Sequence, residues 1–258
     1  MTGRAMWKGV LRFGEARVPV KLYAAVQERG VHFRLLHRKD HTPVRQQMVN
    51  PETGDAVPYA ETERGYMTEH GEIVVLRDGD LHGLTPPASR DIEVEHFLPA
   101  GAIGHRWYDR PYFLGPDGQT ASYFALVEAL RGSGREGVAR WVMRKQDYIG
   151  ALRVHGDHLV LVTLRWAEEV VAASGIETQG ARGLSAKELA MAKQLVAMLE
   201  DELDLEEYRD EYSARVREFV EKKAKGRHVR LRKPPARRRP ADLSAALRAS
   251  LTEARKVA

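Results

Sequence analysis

The sequence predicts a β-rich α+β protein whose many short strands form a barrel or a sandwich and whose C-terminal part is helical. Residues 5–166 alternate short runs rich in β-branched and aromatic residues with turn signals, which is typical of short antiparallel strands. At Ser185 the apolar residues change to helical spacing. Apolar residues make up 43% of the 258-residue chain, so the strand-rich part can bury a core of its own.

Six segments of residues 5–166 have the composition of strands. Turns rich in Gly, Pro and Asp separate them, and one helix interrupts them at about residues 121–131, where Leu126, Val127 and Leu130 recur at helical spacing. The predicted strands are Val18–Tyr23, Val31–His37, Ile73–Leu76, Ile92–Leu98, Val138–Arg144 and Leu159–Leu164.

Two amphipathic helices follow, and each opens with a capping signal. Ser185-Ala-Lys-Glu188 is a capping box, and Asp204-Leu-Glu-Glu207 is a similar helix start. Gly226 ends the second helix. Pro234, Pro235 and Pro240 exclude a helix in the segment that they occupy, and a last short helix begins after them at Asp242. The apolar stripes of the three helices are Leu189, Ala192, Val196, Leu199 and Leu203; then Tyr208, Tyr212, Val216 and Phe219; then Leu243, Leu247 and Leu251.

Charge divides the chain into three parts, and we place the domain boundaries between them. Residues 1–184 carry 23 basic and 23 acidic side chains, residues 185–221 carry 5 and 11, and residues 222–258 carry 13 and 2. The overall net charge of +5 hides this separation. A neutral body, an acidic helical segment and a basic tail on one chain indicate a polyanionic partner.

The tail contains an uninterrupted basic run from Lys222 to Arg239, without an acidic residue. If half of its cations contact phosphates, the logarithm of the affinity falls with the logarithm of the salt concentration at a slope of roughly −4 to −5. No aromatic residue lies in the run, which argues against stacking on single-stranded bases. The ten cations are Lys222, Lys223, Lys225, Arg227, Arg230, Arg232, Lys233, Arg237, Arg238 and Arg239.

Composition excludes several classes of site. The chain has no cysteine, which excludes disulfides, thiolate zinc sites, iron–sulfur clusters and thiol nucleophiles. We expect no cofactor. The first residues lack the apolar region of a secretory signal, and no apolar stretch is long enough to cross a membrane. We therefore expect a cytoplasmic, nucleoid-associated protein that does not bind a membrane.

Two motif-like segments do not support catalysis. Gly132-Ser-Gly-Arg-Glu-Gly137 matches a dinucleotide fingerprint, but a helix precedes it and a strand follows it, which is the reverse of a phosphate-binding loop. Three histidines, His32, His37 and His41, lie close together without an identifiable fourth metal ligand. The sequence therefore predicts neither a metal site nor an enzyme, although a nuclease or phosphotransferase remains the alternative that an incubation with magnesium and labelled duplex would test.

Two arginines of the strand Val138–Arg144 are candidate phosphate ligands. Arg140 and Arg144 share one face of that strand with Val142, while Trp141 and Met143 point to the opposite face and into the core. Guanidinium groups on an open strand face suit phosphate. An ordinary solvated strand face is the alternative interpretation.

Several segments in order along the chain resemble the prokaryotic Ku proteins. They include Trp7-Lys-Gly9, Phe13-Gly14, Val18–Tyr23, His32-Phe33, Leu36-His37, Gly65-Tyr66, Ser89-Arg90, Ile92-Glu93, Arg110–Leu114, Ala139-Arg140, Ala151–Arg153, Thr163–Arg165, Tyr208–Tyr212 and Asp242–Leu251. The resemblance implies a seven-stranded β-barrel core in residues 1–184 that dimerises and encircles DNA. It also implies a helical arm in residues 185–221 and a flexible basic tail with a short ligase-recruiting helix in residues 222–258.

The function implied by this resemblance is sequence-independent binding of double-stranded DNA ends by a homodimeric ring during non-homologous end joining. The apolar stripe of Leu243, Leu247 and Leu251 would recruit the ATP-dependent DNA ligase D by placing a helix in a groove. The alternative is an architectural protein that binds duplex DNA without needing an end. Some members of the family carry a cysteine zinc-knuckle, but Asp40, Asn50 and Thr53 stand near those positions here, so we expect no metal.

The core residues that we expect to line the ring are basic residues of the strand-rich part. Contacts to phosphate and sugar carry no sequence information, which is what an end of any sequence requires. These candidates are Lys21, Arg106, Arg140, Arg144, Lys145 and Arg153.

Overall fold

The fold is a closed β-barrel followed by helices. The computed structural model describes residues 3–77, 79–175, 185–200, 203–226, 247–248 and 250–252. The chain forms two compact units: the first comprises Met1–Arg29 and Arg34–Ala172, and the second comprises Gly30–Phe33 and Ala173–Ala258. The three-part division of the chain at residues 184 and 221 stays a prediction.

Seven strands of the first unit close the barrel in the order β1-β2-β6-β9-β8-β7-β5. Neighbouring strands are antiparallel except for β1 and β5, whose parallel pairing closes the barrel. The predicted β-rich α+β class and the seven-stranded barrel are confirmed. The strands of the chain are β1 Trp7–Phe13, β2 Ala16–Ala24, β3 Arg64–Met67, β4 Ile73–Leu76, β5 Asp91–Pro99, β6 Tyr108–Pro116, β7 Arg135–Met143, β8 Gln146–His155 and β9 His158–Leu164.

Alternating apolar residues of these strands fill the barrel. In β2, for example, Val18, Val20 and Leu22 are buried while the residues between them are more exposed. The helix α1, Thr120–Ser133, packs its buried face against the barrel, as its spacing predicted. Tyr123 of α1 is fully buried; its hydroxyl donates to the Leu114 carbonyl at 2.5 Å and accepts from the Leu159 amide at 2.9 Å.

Strand directions distinguish the two ends of the barrel. Helix α1 joins β6 to β7 at one end. The opposite end contains the end of β2, the start of β5 and the β7–β8 turn. The start of β5 lies there because Ile92 pairs with Trp141 near the end of β7. The chain between β2 and β5 therefore leaves and returns at this second end. We call residues 34–90 the insert and this end of the barrel the insert end.

The insert carries large apolar side chains on its surface. Strands β3 and β4 pair only with each other, in an antiparallel two-stranded sheet. Its exposed apolar residues are Tyr66, Met67, Ile73, Val74 and Val75, with exposed fractions of 46–66%. The strand predicted at Val31–His37 is wrong: the chain makes only an isolated bridge between Leu36 and Pro43, since no neighbouring strand takes up its backbone groups.

The second unit contains the helices α2 (Ala186–Met198) and α3 (Glu211–Ala224), and its described residues 247–248 and 250–252 are also helical. Helix α2 begins at the predicted capping box, in which the Ser185 hydroxyl accepts from the Glu188 amide. Helix α3 begins later than predicted: the Asp204 signal forms only a 3₁₀ turn, and Asp210 is the N-cap. Gly226 follows the end of α3 with a φ of 69°, as expected for a helix terminator.

The predicted apolar stripes of these helices are largely exposed. Leu189, Val196 and Leu199 of the first stripe have exposed fractions of 44%, 71% and 65%. Tyr208 and Tyr212 are exposed to 75% and 66%. Within the described part of the chain, no helix combines the length and the apolar composition needed to cross a bilayer.

Candidate nucleic-acid interface

The tip of the β7–β8 hairpin presents two adjacent cations at the insert end of the barrel. Met143 pairs with Gln146, so Arg144 and Lys145 are the two turn residues. Their φ angles are 53° and 65°, the left-handed values that a type I′ turn requires at both positions. The prediction that Arg144 lies on the strand face of Arg140 is therefore wrong, because β7 ends at Met143. The prediction that Trp141 and Met143 point into the core is confirmed.

A third cation, Arg90, lies beside this turn. Arg90, Arg144 and Lys145 line one cavity of about 390 Å³ together with Trp7. The Arg90 carbonyl accepts from the Val10 amide at 2.8 Å, which ties this backbone to β1. We call Arg90, Arg144 and Lys145 the basic tip. All three are exposed, and none forms an ion pair with another described residue.

Arg140 lies in a different electrostatic environment from the basic tip. It lines a groove of about 670 Å³ whose wall also carries Asp91, Glu93, Glu95 and Asp147. Its Nε is 4.0 Å from the Glu95 carboxylate. The role of Arg140 as a phosphate ligand stays a prediction, but the carboxylates around it lower its attraction for an anion.

Lys21 is held by a carboxylate on the outside of the barrel. Its Nζ lies 2.8 Å from Asp117, which also pairs with Lys8 at 3.0 Å. The hydrogen bonds from Lys21 and Lys8 lower the pKa of Asp117, and the hydrogen bond to Asp117 raises the pKa of Lys21. This cluster carries one net positive charge. Lys8 was not among the predicted ligands. It lies beside Lys21 on Asp117, so a phosphate bound by Lys21 would also be close to Lys8.

Arg153 is paired with a buried carboxylate near the end of the barrel at which helix α1 joins β6 to β7. Its Nε lies 2.9 Å from Oε2 of Glu136, a residue with only 1% of its surface exposed. Its guanidinium also lies over the Tyr108 ring, 5.4 Å from the centroid, and burial raises the pKa of the Tyr108 hydroxyl. Arg153 thus has a structural role in the barrel, and its contact with DNA stays a prediction.

The structure brings together only two of the six predicted core residues. Arg144 and Lys145 are neighbours at the tip, while Lys21, Arg140 and Arg153 lie in separate clusters and Arg106 donates to the Val171 carbonyl at 3.1 Å. Sequence reasoning missed Arg90. The signal that could have identified Arg90 is its position immediately before β5. The start of β5 lies at the same end of the barrel as the β7–β8 turn, because β5 and β7 are antiparallel neighbours.

Part of the basic tail lies within the described residues. Lys222 and Lys223 belong to the last turn of α3, Lys225 is its C-cap, and Lys222 pairs with Glu218. Leu247 and Leu251 are helical, and Leu251 is buried to 9% exposure. The other tail candidates lie outside the described residues: Arg227, Arg230, Arg232, Lys233, Arg237, Arg238, Arg239 and Leu243.

The histidine cluster has no metal-site geometry. His37 pairs with Asp40 at 2.9 Å, and Asp40 also accepts from the Thr42 amide and hydroxyl, which lower the pKa of Asp40. This is a closed turn motif. Among the residues that the structure describes, no three His, Cys, Asp or Glu side chains are grouped as metal ligands.

Comparisons with known proteins give one consistent family. The family model described as the Ku70/Ku80 beta-barrel domain matches residues 12–195. Non-homologous end joining protein Ku 2 of Geotalea uraniireducens is 36% identical over 234 residues, which are 91% of this chain and 91% of that protein. Non-homologous end joining protein Ku of Heliobacterium modesticaldum is 34% identical over 98% of this chain and 93% of its own length.

A third relative and one solved structure complete the comparison. Non-homologous end joining protein Ku of Coxiella burnetii is 33% identical over 92% of this chain and 88% of its own length. The crystal structure of the SPOC domain of human PHD-finger protein 3 is 11% identical with a TM-score of 0.29 and covers 62% of this chain and 95% of that domain. That structural likeness is too weak to carry an argument.

Proposed function

The chain belongs to the Ku family of non-homologous end joining proteins, and we propose that it is a homodimer that binds double-stranded DNA ends of any sequence. In this proposal it threads onto a broken end and recruits ligase D for repair of the break. The observation that carries the proposal is the match of the family's barrel to residues 12–195, together with relatives of that name that align over nearly the whole chain.

The charge of the molecule supports binding through phosphates. The basic tip lies at the insert end of the barrel, where the chain leaves for a long connection that could pass around a duplex. Phosphate and sugar contacts position a duplex without reading its bases, as an end of any sequence requires. Lys21, Arg106, Arg140 and Arg153 remain further proposed contacts, and the basic run of residues 222–239 adds an electrostatic tether.

The insert supports dimerisation. An isolated two-stranded sheet is marginally stable, and β3–β4 exposes apolar residues such as Tyr66, Ile73 and Val75. Apolar surface of this kind is stabilised when a second protein surface removes it from water. A second copy of the chain is the partner that this proposal assigns to the sheet.

The C-terminal residues are the proposed site for the ligase. Leu243, Leu247 and Leu251 recur at i, i+4 and i+8, the spacing with which an amphipathic helix enters an apolar groove. Ligase D is the proposed owner of that groove. The chain itself is proposed to be a non-enzymatic protein that brings the end and the ligase together.

Retention on linear and covalently closed circular DNA of the same sequence tests end binding. The purified protein is loaded on both forms at moderate salt and challenged with competitor DNA, and the bound fraction is followed over time. We expect the linear form with free ends to be loaded and the circle to be left unbound. Equal retention would indicate an architectural duplex-binding protein instead. Sedimentation of the free protein tests the dimer in parallel, and a strict monomer would contradict it.

A further inference from the structure

We infer that the basic tip is a preformed duplex contact that the fold maintains in a strained backbone conformation, and that Arg90 is a DNA ligand in it. This inference rests on the proposed function and adds to it a residue and a mode of contact. It starts from a feature that barrel stability does not explain: two consecutive long cationic side chains occupy left-handed backbone positions.

The turn at residues 144 and 145 is unfavourable for the residues that form it. A two-residue hairpin of type I′ needs φ above zero at both positions, and Asn-Gly or Asp-Gly satisfies that need with little strain. In the left-handed region the Cβ of an L-residue lies too close to the following carbonyl oxygen; Gly avoids this cost and Asn or Asp offset it by local hydrogen bonds, so Arg-Lys is among the poorer choices for this backbone. Strain of this kind in a turn that stability alone would build differently points to a contact.

The side chains of the basic tip are available to a ligand. Several other cations of the barrel are paired with carboxylates, among them Lys21 with Asp117 at 2.8 Å and Arg153 with Glu136 at 2.9 Å. The described residues offer Arg90, Arg144 and Lys145 no such partner within 4.0 Å. Three unneutralised cations around one cavity are the composition of a phosphate-binding surface.

The supports of the basic tip fix its position. The turn is held by strands of nine and ten residues, and Trp141 and Met143 just before it are buried in the core. The Arg90 backbone is tied to Val10 of β1. A contact whose backbone is already ordered loses little conformational entropy when it binds, so its cations contribute more to affinity than cations on an unstructured segment. The duplex would meet a turn at the end of a closed barrel here.

The decisive experiment replaces the turn by one that the backbone prefers. In the full-length protein, Arg144→Asn combined with Lys145→Gly should raise the melting temperature by about 3–6 °C, because the strain is relieved. The same variant should bind a linear duplex at least about tenfold more weakly. Its plot of log affinity against log salt should be shallower by about two units, since two phosphate contacts are lost.

Two single variants complete the test. Arg90→Ala should weaken binding and reduce the salt slope by about one unit, while Arg17→Ala, an exposed arginine on β2 without an ion pair among the described residues, should leave both unchanged. Circular dichroism of each variant verifies the fold.

The outcomes separate this inference from the proposed function. If the unaltered protein does not retain linear DNA, the proposed function itself fails. If the unaltered protein binds and the Asn-Gly variant binds equally well, the basic tip is not a contact. If the Asn-Gly variant melts at the same or a lower temperature, the turn is not strained, and the inference is overturned on that ground. Unchanged binding by Arg90→Ala would remove Arg90 from the site.

Discussion

Glu136 shows how one buried charge depends on a single partner. Its side chain is almost fully buried on the barrel wall, and Oε1 has no hydrogen-bond partner among the described residues. Oε2 is held by Arg153 at 2.9 Å and lies 3.5 Å from the Tyr108 hydroxyl. A carboxylate removed from water is costly unless it is paired, so Arg153 compensates most of that cost.

Arg153→Ala should therefore destabilise the barrel because it leaves Glu136 buried without a counter-charge. We expect the free energy of unfolding, measured by urea denaturation, to fall by about 3 kcal/mol. Arg140→Ala is the matched control, because that side chain is 57% exposed and 4.0 Å from Glu95, and its effect should stay within about 0.5 kcal/mol. Equal destabilisation by the two variants would contradict the structural role of Arg153.

Ion pairs such as these could not be predicted from the sequence. Lys21 and Asp117 are far apart along the chain and meet because β2 pairs with β6, with Lys21 opposite Gly115. Residue types identify the cations that are candidates for phosphate binding, and that role stays a prediction. Which of them are already neutralised depends on strand register, and register depends on the closure of the whole barrel.

At the scale of elements, the Trp7-Lys-Gly9 opening of β1 is explained by packing. A Cβ added to Gly9 would overlap the Trp7 indole ring and lie 2.9 Å from the Arg90 carbonyl oxygen. Trp7 is partly buried against the core and lines the cavity of the basic tip. Gly9 thus allows β1, the Trp7 ring and the start of β5 to lie close together.

Gly9→Ala should accordingly lower the free energy of unfolding by about 2 kcal/mol, as overpacking in a core does. Because it displaces Trp7 and Arg90, we also expect weaker binding of linear duplex DNA. Gly30→Ala is the control: no atom lies within 4 Å of the added Cβ, and the backbone is not left-handed. Thermal denaturation and a binding titration would reveal the difference, and a neutral Gly9→Ala would show that the ring packs elsewhere.

At the same scale, strand composition predicted the strands that find a neighbouring strand. Ile92–Leu98 and Leu159–Leu164 lie within β5 and β9, where their β-branched and aromatic residues suit an extended backbone paired on both sides. Val31–His37 has equally strong strand composition but no partner strand, and composition cannot reveal a missing neighbour. The turn at Arg144 was missed because Arg-Lys carries no turn signal; the core and strand pairing impose it.

At the scale of the whole molecule, charge is separated from folding stability. The barrel is built from a part of the chain with equal numbers of acidic and basic residues, so it can bury a core without strong self-repulsion. The net positive charge is concentrated in residues 222–258, from the last turn of α3 onward. Altering the tail should therefore change long-range attraction to DNA while the folded parts are retained.

Removal of residues 222–258 is the test of this separation. We expect weaker binding with a shallower salt dependence, loss of ligase stimulation, and an unchanged dimer in sedimentation. A second variant, with glutamine at the ten basic positions between residues 222 and 239 but with Leu243, Leu247 and Leu251 intact, distinguishes the two tail functions. It should reduce the salt slope by up to about 9 units if every cation contacts a phosphate, or by about 4–5 units if half do.

That glutamine variant should still stimulate the ligase when DNA is supplied at saturating concentration, because the apolar stripe that the ligase would bind is unchanged. Replacing Leu247 and Leu251 by serine in the unaltered tail should have the reverse effect: normal DNA binding and salt slope, with stimulation lost. Loss of the dimer after the deletion would contradict this separation. So would loss of both DNA binding and ligase stimulation in each of the glutamine and serine variants. Either result would mean that the tail forms one cooperative structure with the folded units.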